Sequence, residues 1–199
     1  LVYQDKEYKI KSPLLGAFNS ENLSLSILTC LALGFNMQDI IKKIPDINIS
    51  GRMDIVDEGQ NFYCLVDYAH TPNGISKLLE FTNSLKVNRK IVVIGQAGER
   101  DPYKRKDVGR IVANYADLAI FTYEDPRNEN LDDIFKMMTQ DILDKDNYII
   151  IKDRHEAIKY AINQAKKDDI VLILGKGNET YQKIGNKKIF FNDISEAKN

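Results

Sequence analysis

Two periodicities divide the chain. From Ser20 onward the apolar residues Leu23, Ile27, Leu28, Leu31 and Ala32 recur at helical spacing, which lines one face of a helix. Ser20 is the expected N-cap and Gly34 the stop, and a second short helix is expected over Gln38 to Lys43. Ahead of them, Leu1 to Ile10 alternates apolar and polar residues and reads as a strand, closed by a turn at Ser12-Pro13-Leu14-Leu15-Gly16. Pro45 to Gly51, with its proline, glycine and small polar residues, is the linker candidate. Beyond it, β-branched runs at Phe62–Val66, Lys90–Ile94, Leu118–Thr122, Tyr148–Ile151 and Ile170–Leu174 alternate with helical segments. Those helices are expected at Asn73–Leu85, Lys106–Tyr115, Leu131–Leu143 and Arg154–Lys166. Each step is long enough for a right-handed crossover, so the pattern predicts an α/β fold with a Rossmann-like, mainly parallel sheet and flanking helices from about Gly51.

In such a sheet, ligands bind outside the carboxyl ends of the strands. That rule selects Asp67-Tyr68-Ala69-His70-Thr71-Pro72, Gly95-Gln96-Ala97-Gly98-Glu99-Arg100-Asp101, Tyr123-Glu124-Asp125-Pro126-Arg127 and Gly175-Lys176-Gly177-Asn178-Glu179. Arg100 and Arg127 can each grip a carboxylate with a planar fork, and Glu124, Asp125 and Glu179 can accept from an ammonium group. Together they suit a zwitterionic amino acid. Any one of these charges, taken singly, is better read as a surface ion pair. Both signs in three successive strand-end loops favour a site. Neither glycine-rich loop has the spacing of a phosphate-binding motif, so Gly175-Lys176-Gly177 is a weak signal. His70, in a turn, reads as a hydrogen-bonding or stacking residue, and no Ser or Cys with a suitably spaced base makes a nucleophile. His155 reads as structural or exposed, and no histidine-carboxylate cluster specifies zinc.

Composition narrows the partners. The 199 residues suffice for one domain and part of another. The net charge of -1 provides no basic field for nucleic acid or an anionic membrane. Cys30 and Cys64 lie in apolar runs, as buried free thiols of a reducing compartment do. No apolar stretch is long enough for a membrane span, so a cytoplasmic protein is expected; separately, it is expected to be monomeric. The start at Leu1 raises the expectation of a fragment.

Six strings in order resemble the Mur ligase family. They are Leu14-Leu15-Gly16-Ala17-Phe18-Asn19-Ser20-Glu21-Asn22, Gly51-Arg52-Met53-Asp54, Val66-Asp67-Tyr68-Ala69-His70-Thr71-Pro72, Gly98-Glu99-Arg100-Asp101, Glu124-Asp125-Pro126-Arg127 and Gly175-Lys176-Gly177-Asn178-Glu179-Thr180-Tyr181-Gln182. Within the family they are most like the ligases that add the third residue to a UDP-N-acetylmuramoyl dipeptide in peptidoglycan synthesis. The resemblance implies that residues 1–50 are the tail of a central ATP-binding domain and 51–199 the carboxy-terminal Rossmann-like domain, with Pro45 to Gly51 as hinge. It implies that Asn22, Arg52, Asp67 and His70 serve ATP, while Arg100, Glu124, Asp125, Arg127, Gly175 and Glu179 bind the incoming amino acid. The reaction it implies forms an acyl phosphate on the dipeptide's D-glutamate, which a dibasic amino acid then attacks. The family's phosphate-binding loop, magnesium (Mg2+) ligands and carbamylated lysine match nothing here, so these residues alone are expected to be inactive.

Two positions depart from the family pattern. The diaminopimelate signature Asp-Asn-Pro-Arg is replaced by Glu124-Asp125-Pro126-Arg127. Arg127 favours a substrate with a second carboxylate, such as meso-diaminopimelate, whereas the added acid at Asp125 favours a lysine-like side chain. Asn178 stands where many relatives carry histidine. Other readings are a cyanophycin or folylpolyglutamate synthetase of the same superfamily, and a non-catalytic nucleotide- or amino-acid-binding module.

Overall fold

The computed structural model describes residues 1–143 and 146–199. Contacts divide the chain into two compact units, Leu1–Ile49 and Ser50–Asn199.

The first unit opens with strands β1 (Val2–Tyr3) and β2 (Lys6–Glu7), paired antiparallel. The expected single strand over Leu1 to Ile10 is therefore a hairpin. Gln4 and Asp5 both take positive φ, 49° and 59°, the backbone of a tight turn whose twist matches the paired strands. Helix α1 (Phe18–Ala32) begins earlier than expected: Ala17 is its N-cap, without a side-chain bond, and Ser20 lies inside the first turn. Asn19 instead reaches back to the Leu15 carbonyl at 2.6 Å. The stop at Gly34 is a Schellman motif, with Gly34 at φ +92°, its amide on the Leu31 carbonyl and the Phe35 amide on that of Cys30. Helix α2 (Met37–Lys43) is capped by the Asn36 side chain, which accepts from the Asp39 amide. A 3₁₀ turn at Ile44–Asp46 follows. Pro45 is thus part of this unit and not of a free linker, because Ile44 beside it packs with Ile27 and Met37 in the small core. Leu25, Leu28, Leu33 and Phe35 remain exposed, and a cleft of about 530 Å³ lined by Leu23, Ile27, Cys30 and Ile40 opens on this unit.

The second unit is the expected α/β domain. Its elements are β3 (Asp54–Ile55), β4 (Tyr63–Asp67), α3 (Pro72–Thr82), β5 (Lys90–Ile94), α4 (Lys104–Tyr115), β6 (Leu118–Phe121), α5 (Leu131–Thr139), β7 (Tyr148–Ile150), α6 (Arg154–Gln164), β8 (Ile170–Leu174), β9 (Tyr181–Ile184), β10 (Lys187–Phe190) and α7 (Asp193–Ala197). The sheet order is β3-β4-β8-β5-β6-β7, parallel except for the edge pair β3–β4. Strand β8 lies between β4 and β5 and is buried along its whole length, as a run of Ile, Val and Leu covered on both faces must be. Each such side chain removed from water contributes roughly 1.5 to 3 kcal/mol. Helix starts are fixed by Thr71, Asn130 and Asp153, whose side chains accept from backbone amides of α3, α5 and α6.

Helices α4 and α5 touch at Gly109: a Cβ there would sit 1.7 Å from the Met138 carbonyl oxygen. Helix α7 is anchored by a fully buried ion pair. Arg154 donates to Asp193 at 2.8 and 2.7 Å and to the Leu174 carbonyl at 2.9 Å. Both cysteines are free; Cys64 is buried in the sheet core, which pushes its thiol up to about 12, and Cys30 is half-buried. No helix among the described residues is long and apolar enough to cross a membrane.

Candidate functional site

The carboxyl ends of β5, β6 and β8 bring most of the expected residues together. After β6 come Glu124 and Asp125, both buried. Glu124 Oε2 has no hydrogen-bond partner among the described residues. Across from it Gly175 turns the chain after β8 at φ +111°, so close that a Cβ would lie 3.1 Å from that oxygen. Burial pushes the Glu124 carboxyl up to about 7, against the opposing pull of Arg154 and Lys176 and with help from Asp125 and Glu179.

Asp125 and Glu179 are joined by Lys176, whose side chain has no solvent exposure. Its Nζ donates to Asp125 Oδ1 at 2.8 Å and to Glu179 Oε2 at 2.7 Å. Burial alone would lower the ammonium's pKa, but the two acids outweigh it and hold Lys176 above the usual lysine value. The Lys183 amide adds a third contact to the cluster, 3.1 Å from Asp125 Oδ1.

Arg127 is fixed at backbone and side chain alike. It sits at φ 52°, bridges Ile184, donates its amide to the Lys183 carbonyl at 3.0 Å and receives the Gly185 amide at 2.7 Å. Its Nη1 donates to the Gly98 carbonyl in the loop after β5. Glu124, Asp125, Arg127, Gly175 and Glu179 are therefore linked through direct contacts or through Lys176 and Gly98. Arg100 is not: it is exposed and has no side-chain hydrogen bond or ion pair among the described residues.

A second group surrounds the end of β4. Asp67 is buried, and its two oxygens accept from the Met53 amide at 2.8 Å and the Ala69 amide at 2.7 Å. Burial raises its carboxyl pKa, which these bonds only partly offset. The exposed Arg52 guanidinium lies 4.8 Å above the Tyr68 ring, and the Tyr68 and His70 rings meet edge-on with centroids 4.8 Å apart. His70 Nδ1 donates to the Tyr68 carbonyl at 2.9 Å, and the His70 carbonyl accepts from Lys104 Nζ at 3.0 Å. Burial lowers the Lys104 ammonium's pKa while Glu124 and Asp101 oppose the shift. Asn22, in the first unit, is exposed and bonded to Asn19 Oδ1 at 3.1 Å. Among the described residues no group of three or more His, Cys, Asp or Glu side chains is placed to hold a metal ion.

Lys176, Lys104 and the Arg154–Asp193 pair were not legible as site residues in the sequence. For Lys176 the only signal is its position between two glycines directly after the most apolar strand.

A mainly parallel sheet with charged groups gathered at the carboxyl ends of its strands defines an α/β domain, and residues 51–177 match the family described as Mur ligase, glutamate ligase domain. The chain belongs to the Mur ligase family. It is 42% identical over 191 residues to the UDP-N-acetylmuramoyl-L-alanyl-D-glutamate--2,6-diaminopimelate ligase of Geobacillus kaustophilus (strain HTA426), covering 95% of this chain and 39% of that protein. The ligase of the same name from Fusobacterium nucleatum subsp. nucleatum is 38% identical over 198 residues, 98% of this chain and 41% of that one. A solved structure of such a ligase superposes with a TM-score of 0.72 at 35% identity, over 98% of this chain and 40% of that chain. Folylpolyglutamate synthase from Thermotoga maritima shares the fold, with a TM-score of 0.62 at 21% identity over 85% of this chain and 38% of that one. The chain thus spans about two-fifths of the length of the relatives it matches.

Proposed function

We propose that this chain is the carboxy-terminal part of an ATP-dependent ligase that joins a dibasic amino acid to UDP-N-acetylmuramoyl-L-alanyl-D-glutamate in peptidoglycan synthesis, in the cytoplasm. The observation that carries the reading is the strand-end cluster, in which Lys176 bridges the acids Asp125 and Glu179 and Arg127 is tied to the neighbouring loop through Gly98. A small zwitterion gives up much hydration on binding, so each of its charges needs a partner already in place. Arg127 takes a carboxylate in this reading, Asp125 and Glu179 take an ammonium through their remaining oxygens, and the Gly175 backbone lies against the ligand. Glu124 closes the floor of the pocket. Arg100, exposed and without a side-chain partner among the described residues, is the carboxylate ligand that folds in when substrate arrives.

ATP in this reading meets the other group. Arg52, exposed and backed by the Tyr68 ring, fits an anionic phosphate or a purine face, with His70 beside it. Asp67 shapes that turn through two amide bonds, so its contribution to nucleotide binding is to position Met53 and Ala69 backbone. Magnesium in this reading is held mainly by parts of the longer protein outside these residues. Asn22 and the exposed apolar side chains of residues 1–49 fit the tail of a central nucleotide-binding domain whose remainder covers them. The named activity of the relatives, each 2,6-diaminopimelate ligases, supports meso-diaminopimelate as the amino acid.

The direct test incubates the full-length protein with ATP, the UDP-muramoyl dipeptide and each candidate amino acid, and weighs the product. A tripeptide product with ADP release supports the reading. No product with any dibasic amino acid overturns it.

A further inference from the structure

We propose that Lys176 determines substrate choice, by neutralising one acid of the amino-acid pocket in place so that the pocket accepts a zwitterionic side-chain terminus in preference to a bare ammonium. The proposal rests on the pocket reading above and adds a residue to it.

Counted from the sequence, Asp125 and Glu179 present two negative charges near Arg127, which suits a lysine-like substrate. The structure changes that count. Lys176 Nζ holds both acids at 2.8 and 2.7 Å, leaving a net charge of -1 for the three side chains. The ammonium lies behind the acids: its side chain has 0% exposure, whereas those of Asp125 and Glu179 keep 9% and 29%. Glu179 therefore reaches the open side of the loops with Asp125 nearly covered beside it, and their joint charge is halved from within. A single net negative charge in the strand-end loops that also carry Arg127 matches one ammonium and one carboxylate. A bare ammonium satisfies the acids but leaves Arg127 opposite a like charge, which costs binding.

The same geometry removes the competing use of this lysine. Phosphate held by a Gly-Lys-Gly turn requires an ammonium free to meet the anion, and Lys176 is already spanned by two carboxylates and closed off by the Tyr181 ring, 5.8 Å from Nζ. A buried ion pair serving stability alone is the remaining alternative. Stability and substrate choice respond differently to substitution, so the two roles separate by experiment.

In the full-length protein, Lys176→Met unmasks the second charge. The ratio of kcat/KM for meso-diaminopimelate to that for L-lysine should fall about tenfold or more. Combining it with Asp125→Asn returns the net charge to -1 without the lysine, and the ratio should return to within about threefold of the wild type. Asp125→Asn alone leaves no net charge and should raise KM for both amino acids, with kcat less affected. An unchanged ratio in a folded Lys176→Met protein overturns the proposal. Where Lys176→Met does not fold, equal amino-acid KM values for Asp125→Asn and the double variant overturn it instead. A wild-type protein that uses neither amino acid refutes the pocket reading itself, a result distinct from both.

Discussion

Glu124 is the strand-end acid whose chemistry departs clearly from its ordinary state. Its carboxyl moves from near 4.5 to about 7 because burial disfavours the charged form. The folded state therefore binds the proton more tightly than the unfolded chain. The resulting stabilisation is fully present below about pH 4.5 and is lost as pH rises through about 7. At about 1.4 kcal/mol per pH unit the full span is worth about 3 kcal/mol. Glu124→Gln should remove this component, so that the melting temperature between pH 5 and 8 falls less steeply than in the wild type, by about 5 to 10 °C over the range. Parallel melting curves for the two proteins would show that the carboxyl does not titrate there. Arg127 makes a second expectation. Arg127→Ala should cost about 2 to 5 kcal/mol in apparent affinity for meso-diaminopimelate, the scale of a broken buried charge pair, and little for L-lysine. Kinetics with both amino acids check it, and equal small effects would leave Arg127 without a role in the pocket. The types of residue gathered at these strand ends were legible in the sequence, but their pairing was not. Lys176 and Asp125 lie 51 positions apart, and nothing local announces that a lysine flanked by glycines will be fully buried between two acids.

At the scale of elements, Gly109 is the test of how α4 and α5 pack. Alanine is the better helix former by up to about 1 kcal/mol, so propensity alone predicts that Gly109→Ala stabilises. The Cβ meets the Met138 carbonyl oxygen, however, and forcing the helices apart costs about 1 to 3 kcal/mol. Net destabilisation in a chemical denaturation experiment is the expected outcome, and a stabilised variant would mean that α5 yields freely. The regular elements were the legible ones. Strands β5 and β8 fall where the apolar runs Lys90–Ile94 and Ile170–Leu174 place them, since a strand covered on both faces has to be apolar throughout. Strands β3, β9 and β10 gave no such signal. They are two to four residues long, and β10 is exposed at every position, so no buried face imposes a period on it. Helix α5 ends at Thr139, short of the expected Leu143, which is exposed. The N-cap of α1 was misplaced because serine is only one way to start a helix; there the start is made without a capping side chain.

At the scale of the molecule, the two compact units each contain one thiol, Cys30 in residues 1–49 and Cys64 in residues 50–199. Cys64 lies in the sheet core with 2% exposure and a thiol pushed up to about 12, so it reacts only when that unit opens. Its alkylation should be negligible in native buffer and should accelerate with denaturant along the loss of the sheet's circular dichroism. Immediate reaction in native buffer would place the β4 core within reach of solvent. The sheet domain thereby carries an internal clock, needing no introduced label, whereas Cys30, half-buried in the cleft of the first unit, reacts without that unit opening. Peptide mapping after timed alkylation separates the two thiols in one sample, and through Cys64 the stability of the sheet domain becomes measurable even when bound substrates or neighbouring residues change its spectroscopic signal.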